Sequence, residues 1–368
     1  MSPAGRRRQR VAPLPSTDLG QLLNRVKAVA ENRPAVYRMC DPTGRVLYVG
    51  KAKRLRTRLL TYFRARYPDD KAARILYAAS DIQWSYVPSE FAAYLNELRQ
   101  IRQYRPYFNH KGNRTRRSVL IKIAGGPAAR VYGGASLARG DVRCYGPFHS
   151  LARMLEAVRT LNDLLGLRDC PATVPMFFAG QGDLFDTPRQ AACMRYEFGF
   201  CSGPCAAQVS EADYRRRVDT AMAFLEGRTI QPIDRVVAAM QEASQAARFE
   251  LAARWREKFE QLEWLLASTS RARSAIDLLT FVYRDPGDYG DDRVYLLRQG
   301  VVRASFPYPA TPIEEEAFRA VVREEVSRSE SPSGPLPLES IDEVLLMMAW
   351  FRAHPEALRR TTGYDQWM

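Results

Sequence analysis

The sequence predicts a multi-domain α/β protein, and three observations carry that expectation. Its 368 residues are enough for two or three hydrophobic cores of ordinary size. Short strand-like runs alternate with segments of helical periodicity, as in mixed α/β units. Two stretches without periodicity interrupt them: 171–192, rich in Gly, Pro, Ala and Gln, and Ser327–Pro337, rich in Ser and Pro. These read as a loop and a linker.

Residues 1–30 read as a basic arm (Arg6, Arg7, Arg8, Arg10) and a lead-in helix. Residues 31–112 form the first domain. In it, 35–39 and 45–49 are two short strands, and Asp41-Pro42-Thr43-Gly44 between them has the chemistry of a hairpin turn. A helix spans about 53–66 and stops near Pro68. A strand follows at 83–87. Ser89 then caps a helix running to Tyr104, before Pro106. Phe91, Leu95, Leu98 and Ile101 give that helix one apolar stripe.

Residues 113–210 hold strands, a helix and the loop, and 211–268 are helical. A helix at 211–227 precedes Ile233–Arg248 and Glu250–Leu266, which are close enough in sequence for an antiparallel hairpin. Residues 269–368 form a small α/β segment, with strands at Asp277–Arg284, Arg293–Arg298 and Val301–Phe306 and helix at the end.

The formal net charge of +14 points to a polyanionic partner, because Lys and Arg beside phosphates release counterions. The charge is concentrated. Lys51, Lys53, Arg54, Arg56, Arg58, Arg64 and Arg66 have no acidic residue between them, and Lys111, Arg114, Arg116 and Arg117 make a second group. No apolar run approaches the roughly 20 residues that cross a bilayer. No apolar stretch follows the N-terminal arginines as a secretory signal would require. A cytoplasmic protein is expected.

Of the six cysteines, Cys170, Cys193, Cys201 and Cys205 are clustered. In a cytosolic chain such clustering suggests a metal site before it suggests disulfides. Four thiolates suit zinc and iron–sulfur alike. Cys40 and Cys144 lie outside the pattern and read as packing residues.

The first domain resembles the GIY-YIG nuclease domain, specifically that of the UvrC family. The resemblance rests on Pro34-Ala35-Val36-Tyr37-Arg38-Met39, Leu47-Tyr48-Val49-Gly50-Lys51-Ala52-Lys53-Arg54-Leu55, Arg58, Tyr62-Phe63, Ser89-Glu90-Phe91 through Glu97, and Tyr104-Arg105-Pro106-Tyr107-Phe108-Asn109. Taken singly, each residue has an ordinary structural reading: a half-buried tyrosine, a solvated arginine, a turn asparagine. The ordered set is what points to the family. It implies that Tyr48 is the general base for water, with Lys51 placed to lower its pKa. Tyr37 would hydrogen-bond within the site, and Asn109 would support it. The residue types also suit the chemistry. Phosphodiester hydrolysis needs an activated water and neutralised phosphoryl oxygens. Glu97 can hold one Mg²⁺ or Mn²⁺ together with waters and substrate phosphate. Arg58 and Tyr62, four apart on one helix face, can reach the same phosphate.

Two departures stand out. Ala35 replaces the family's usual glycine, which is tolerable if φ stays negative. After Asn109 an acidic-aromatic phrase is replaced by Arg114, Arg116, Arg117 and Ser118.

The four cysteines resemble the family's 4Fe–4S region, with a longer gap between Cys170 and Cys193; zinc is the alternative. Met240-Gln241-Glu242-Ala243 and Phe249 through Arg256 resemble the UVR motif through which UvrC meets UvrB, with Phe249 and Trp255 as anchors. Full-length members continue into RNase H-like and helix-hairpin-helix domains. Too few residues remain here for both, so the strands from Asp277 to Phe306 are expected to be a remnant of the first. Asp285, Asp288, Asp291 and Asp292 read as a solvated loop.

The resemblance implies single-strand incision of lesion-bearing double-stranded DNA, 3′ to the lesion by fold-level analogy. A UvrB-like helicase would be the partner, with UvrA acting indirectly. Two rivals are a non-catalytic adaptor and a GIY-YIG nuclease of a mobile element or defence system. Retention of Tyr48, Arg58 and Glu97 together argues against the first, and the UVR-like hairpin against the second.

Overall fold

The structure, a computed structural model, describes residues 19–110, 119–134, 142–180, 193–328 and 340–368. The N-terminal arginines, the Lys111–Arg117 basic group, the second half of the 171–192 loop and most of the Ser327–Pro337 linker lie outside the described residues.

The chain begins with α1 (Leu19–Val29), then the hairpin β1 (Ala35–Cys40) and β2 (Val46–Ala52), α2 (Leu55–Phe63), α3 (Lys71–Ala78), β3 (Asp81–Tyr86), α4 (Glu90–Tyr104) and the single turn α5 (Tyr107–His110). The strands form an antiparallel sheet in the order β2-β1-β3. The Asp41 carboxylate accepts from the backbone N–H groups of Thr43 and Arg45, and Gly44 turns the chain at φ +83°. Ala35 lies fully buried in β1 without positive φ, so its methyl is accommodated. Alternation along β1 sends Ala35, Tyr37 and Met39 towards α1, α2 and α3, and Val36 and Cys40 towards Ala93 and Ile101 of α4. Ser89 caps α4 by accepting from the Ala92 N–H, as its sequence position predicts.

A second unit has β4 (Val119–Ala124), β5 (Val131–Gly134) and β6 (Val142–Phe148) in the order β5-β4-β6, followed by α6 (Leu151–Leu165), the short α7 (Met194–Glu197), α8 (Glu211–Leu225), α9 (Gln231–Gln245) and α10 (Phe249–Asp277). One core joins Ile121 and Val131 on the sheet, Leu161 on α6, Phe224 on α8 and Leu262 on α10. A division at 210/211 therefore separates no two cores.

The hairpin differs from the sequence expectation. Its second arm continues to Asp277, and Trp255 packs partly buried on this core with Lys258 over its ring. Phe249 remains 70% exposed.

The last unit has β7 (Phe281–Asp285), β8 (Arg293–Arg298), β9 (Val301–Pro307), α11 (Pro312–Ser327), α12 (Ile341–Ala353) and, after a 3₁₀ turn, the two-residue β10 (Thr361–Thr362). Its sheet order is β10-β7-β8-β9. One face packs on α11, through Val294 and Phe318; the other packs on α12 and on Phe91 and Leu95 of α4. The α4 stripe is therefore divided: Phe91 and Leu95 face the C-terminal unit, and Ile101 faces the N-terminal sheet.

Asp285 corrects the solvated-loop reading. It is 3% exposed, its carboxylate accepts from the Ser89 hydroxyl, and the Tyr283 hydroxyl lies at 3.4 Å. Burial raises its pKa from 3.8 to about 7, against the lowering effects of Ser89, Tyr283 and Arg360, with Asp288 adding to the rise. A carboxyl that is harder to ionise in the folded state binds more protons there than when unfolded. Its contribution is therefore present at acid pH and lost as pH rises from about 4 to about 7. Urea unfolding at pH 5 and pH 8 should show a smaller stability difference for Asp285→Asn than for the wild type.

Candidate active site

Three tyrosines meet between β1, β2 and α2. Tyr37 and Tyr62 are buried, and their hydroxyls hydrogen-bond to each other at 2.8 Å. Tyr48 is only half-buried, and its ring centroid lies 6.2 Å from that of Tyr37 and 6.3 Å from that of Tyr62. Burial pushes the Tyr37 and Tyr62 phenols well above the usual tyrosine range; Tyr48 adds to both rises and Tyr37 adds to that of Tyr62, while the hydrogen bond with Tyr62 and the Arg58 cation partly oppose the rise of Tyr37. Both therefore stay protonated, able to donate and to accept but not to act as bases.

Arg58 projects from α2 onto this group. Its guanidinium hydrogen-bonds to Tyr37 and sits 5.4 Å from the Tyr62 ring centroid. Desolvation is the largest influence on Arg58 and lowers its pKa, but the phenols around it prevail and raise it. It remains a cation.

β2 brings Gly50 opposite Tyr37 across the hairpin. A Cβ there would lie 2.5 Å from the Tyr37 ring and hydroxyl and 2.8 Å from the Tyr48 ring. Only glycine lets the two strands carry both rings on one side. Gly50→Ala should displace Tyr37 and cut any nuclease activity by about 10²-fold, the scale for roughly 1 Å misplacement. A rate measurement beside a melting curve would separate that loss from unfolding. Asn109 holds β2 from its outer edge. Its amide accepts from the Val49 N–H and donates to the Val49 carbonyl, both at 2.9 Å. The side chain thus completes hydrogen bonds that a further strand would supply, and fixes the segment between Tyr48 and Gly50.

Glu97 enters from α4. Burial pushes its carboxyl above the usual range, opposed by the Lys51 charge, a hydrogen bond from the Lys51 N–H and the Arg58 charge. A desolvated carboxylate in this position is stabilised by a cation. Among the described residues no three His, Cys, Asp or Glu side chains are gathered as a ready metal cage. One carboxylate with waters and a substrate phosphate suits Mg²⁺ better than such a cage would.

The Lys51 ammonium lies 3.3 Å from the Tyr94 ring centroid, on α4. The lysine recorded over the Tyr48 ring is Lys71, at 5.7 Å. Partial desolvation and the nearby Arg74 hold Lys71 below the usual lysine range. Tyr37, Tyr48, Arg58 and Tyr62 therefore form one group, with Glu97 linked to it through Arg58 and Lys51. Lys71 joins the site from outside the sequence motifs, and Tyr94 joins it from within the Ser89–Glu97 phrase without being singled out there.

The cysteines converge elsewhere. Cys170, Cys193 and Cys205 each raise the pKa of the Cys201 thiol, although its own burial contributes most. The four thiols approach one another without closing on a common centre. Arg195 anchors the α7 segment through Asp163 at 2.8 Å and Asp169 at 3.0 Å. Cys40 and Cys144 are buried among apolar side chains.

The chain is similar to known proteins over much of its length. Residues 33–110 match the UvrC-like GIY-YIG domain, and residues 120–224 match the middle domain of the UvrC/Cho excinucleases. The UvrABC system protein C of Yersinia pestis is 33% identical over 309 residues, 83% of this chain and 48% of that protein. That of Edwardsiella ictaluri is 34% identical over 232 residues, 62% of this chain and 36% of that protein. The chain spans about half the length, or less, of the curated relatives it matches. Among solved structures, the GIY-YIG N-terminal endonuclease domain of UvrC from Thermotoga maritima, bound to magnesium as its catalytic divalent cation, is 32% identical. It covers 24% of this chain and 96% of that domain, with a TM-score of 0.22. The chain belongs to the UvrC family and carries, in order, its GIY-YIG endonuclease domain and its middle domain.

Proposed function

We propose that this protein is a metal-dependent endonuclease that makes a single-strand incision in damaged duplex DNA during nucleotide excision repair, on the 3′ side of the lesion. The observation that carries the reading is the junction of Tyr48, Arg58 and Glu97 in one polar group inside a domain of the UvrC family. An adaptor that only bound DNA would have no use for a desolvated carboxylate beside two cations.

In this reading Glu97 holds one Mg²⁺ or Mn²⁺, which when bound supplies Lewis-acid polarisation of the scissile phosphate. Tyr48 is the general base, being the one phenol of the three not fully buried. Tyr37 and Tyr62 hold Arg58 where it meets a phosphoryl oxygen. Lys51 donates its backbone N–H to Glu97 and keeps its positive charge beside it. Asn109 keeps β2 in place.

A UvrB-like helicase would be the partner, with UvrA acting upstream. Phe249, exposed at the turn of the α9–α10 hairpin, is the anchor available to such a protein; Trp255 is occupied by its own core. No helix among the described residues is long and apolar enough to cross a membrane, which accords with a cytoplasmic repair protein. Nicking of a lesion-bearing duplex, with and without UvrA and UvrB, tests the reading. Lesion-directed nicking that rises with both proteins supports it. Equal nicking of undamaged DNA would favour a nuclease outside repair, and DNA binding without nicking an adaptor.

The four cysteines would hold a 4Fe–4S cluster, with tetrahedral zinc as the alternative. The four thiols lie near enough to affect Cys201 electrostatically, but among the described residues they form no ready metal-binding group, so this reading rests on their order and spacing in the sequence. Protein purified without oxygen should be brown, with about four iron and four sulfide per chain, and Cys201→Ser should bleach it. Stoichiometric zinc without visible absorption would replace iron–sulfur by zinc.

A further inference from the structure

The C-terminal unit covers the face of α4 that the nuclease sheet leaves open. Phe91 lies among Tyr283, Tyr295 and Trp350, with ring centroids at 5.0, 4.8 and 5.3 Å. The Ser89 hydroxyl donates to Asp285, the Asp288 N–H donates to the Pro88 carbonyl at 3.0 Å, and Arg102 pairs with Glu343 at 3.3 Å. The helix carrying Glu97 is therefore held from its cap to its last turn by residues some two hundred positions away in sequence.

One of these contacts leads into the site. Trp350 of α12 meets Tyr94 at 5.4 Å with the rings steeply inclined, at 63°. His354 stacks on Trp350 at 3.9 Å and limits its rotation. Tyr94 in turn receives the Lys51 ammonium at 3.3 Å. Trp350 thus reaches the charge beside Glu97 through one intervening ring. A lysine side chain has a long flexible stem, so an aromatic face held in place selects one position for its charge.

We propose that the C-terminal unit is a working part of the nuclease centre and that Trp350 is a positioning residue, fixing Tyr94 and through it Lys51 beside Glu97. The proposal rests on the nuclease reading above. It gives residues 341–353 a role in catalysis without any contact with DNA. Ordinary core packing would explain the burial of Trp350, but it would not make the effect of losing Trp350 depend on Lys51.

The test is single-turnover nicking by the full chain with Mg²⁺ and saturating protein. Trp350→Leu and Trp350→Phe are each placed in the wild-type and the Lys51→Met backgrounds, with DNA affinity and melting temperature measured alongside. Trp350→Leu should lower the cleavage rate constant about tenfold, the scale of one desolvated cation–π contact, with DNA affinity unchanged. Trp350→Phe should restore most of the loss by keeping a ring against Tyr94. In the Lys51→Met background, Trp350→Leu should change the rate by less than about twofold, because coupled residues do not add. Equal losses in both backgrounds, or a wild-type rate for Trp350→Leu, would overturn the proposal. If Trp350→Leu fails to fold, Tyr94→Leu breaks the same contact from the other side, and the same cycle applies. Absence of nicking by the wild type would overturn the nuclease reading itself.

Discussion

Glu97→Gln will reduce nicking by at least about 10²-fold, the scale for losing a main electrostatic element of a site. The substitution keeps the shape of the side chain and its place on α4. It removes the charge that would hold a divalent cation, in a position where burial already makes ionisation costly. DNA affinity should hold, because Lys53, Arg54, Arg64 and Arg66 lie on the exposed surface and are untouched. The variant should also melt no lower than the wild type, since a neutral amide is cheaper to bury than a carboxylate. A Michaelis analysis with Mg²⁺ checks this: kcat should fall and KM stay nearly constant, the pattern for an interaction made in the transition state.

Arg58→Ala should be of similar severity, about 10²-fold in kcat, but with a different signature. Arg58 hydrogen-bonds to Tyr37, lies over Tyr62 and lends its charge to Glu97. Its loss leaves the buried Tyr37–Tyr62 pair without its cation and leaves the phosphoryl oxygens without a donor. Arg58→Lys should recover only a small part, because a point charge cannot serve the phenol and a phosphate as a planar fork can. Single-turnover rates for the three proteins at saturating Mg²⁺ would show it. Full recovery by lysine would mean that Arg58 acts by charge alone.

Much of the first domain is legible in the sequence because its signals are local. The hairpin turn, the Ser89 cap and the strand alternation each act over a few residues. α3 has no counterpart in the sequence expectation, where a helix stops near Pro68 and nothing is placed before the strand at 83–87; Asp70 stands at its N-cap and Ala73, Ile75 and Leu76 turn inward. Lys71, at the start of that helix, was hidden for the same reason. The second arm of the hairpin is expected to end at Leu266, yet the Thr269 hydroxyl bonds to the Leu265 and Leu266 carbonyls and the helix continues to Asp277. Asp285, Tyr94 and Trp350 could not be assigned from sequence. Their partners come from opposite ends of the chain, and no periodicity records such a meeting. The four cysteines are clustered in the sequence, but among the described residues they form no ready metal-binding group, and thiolate spacing shared by two kinds of centre does not say what they would hold.

The central claim is that this chain cuts one strand, once, through the site around Glu97. A lesion-bearing duplex labelled separately at each end of the damaged strand tests it most directly, with the full chain, Mg²⁺, UvrA and UvrB, and with Glu97→Gln in parallel. The account predicts one nick, 3′ to the lesion, present in the wild type and absent in the variant. A cut that persists in Glu97→Gln, or a second cut on the 5′ side, would contradict it.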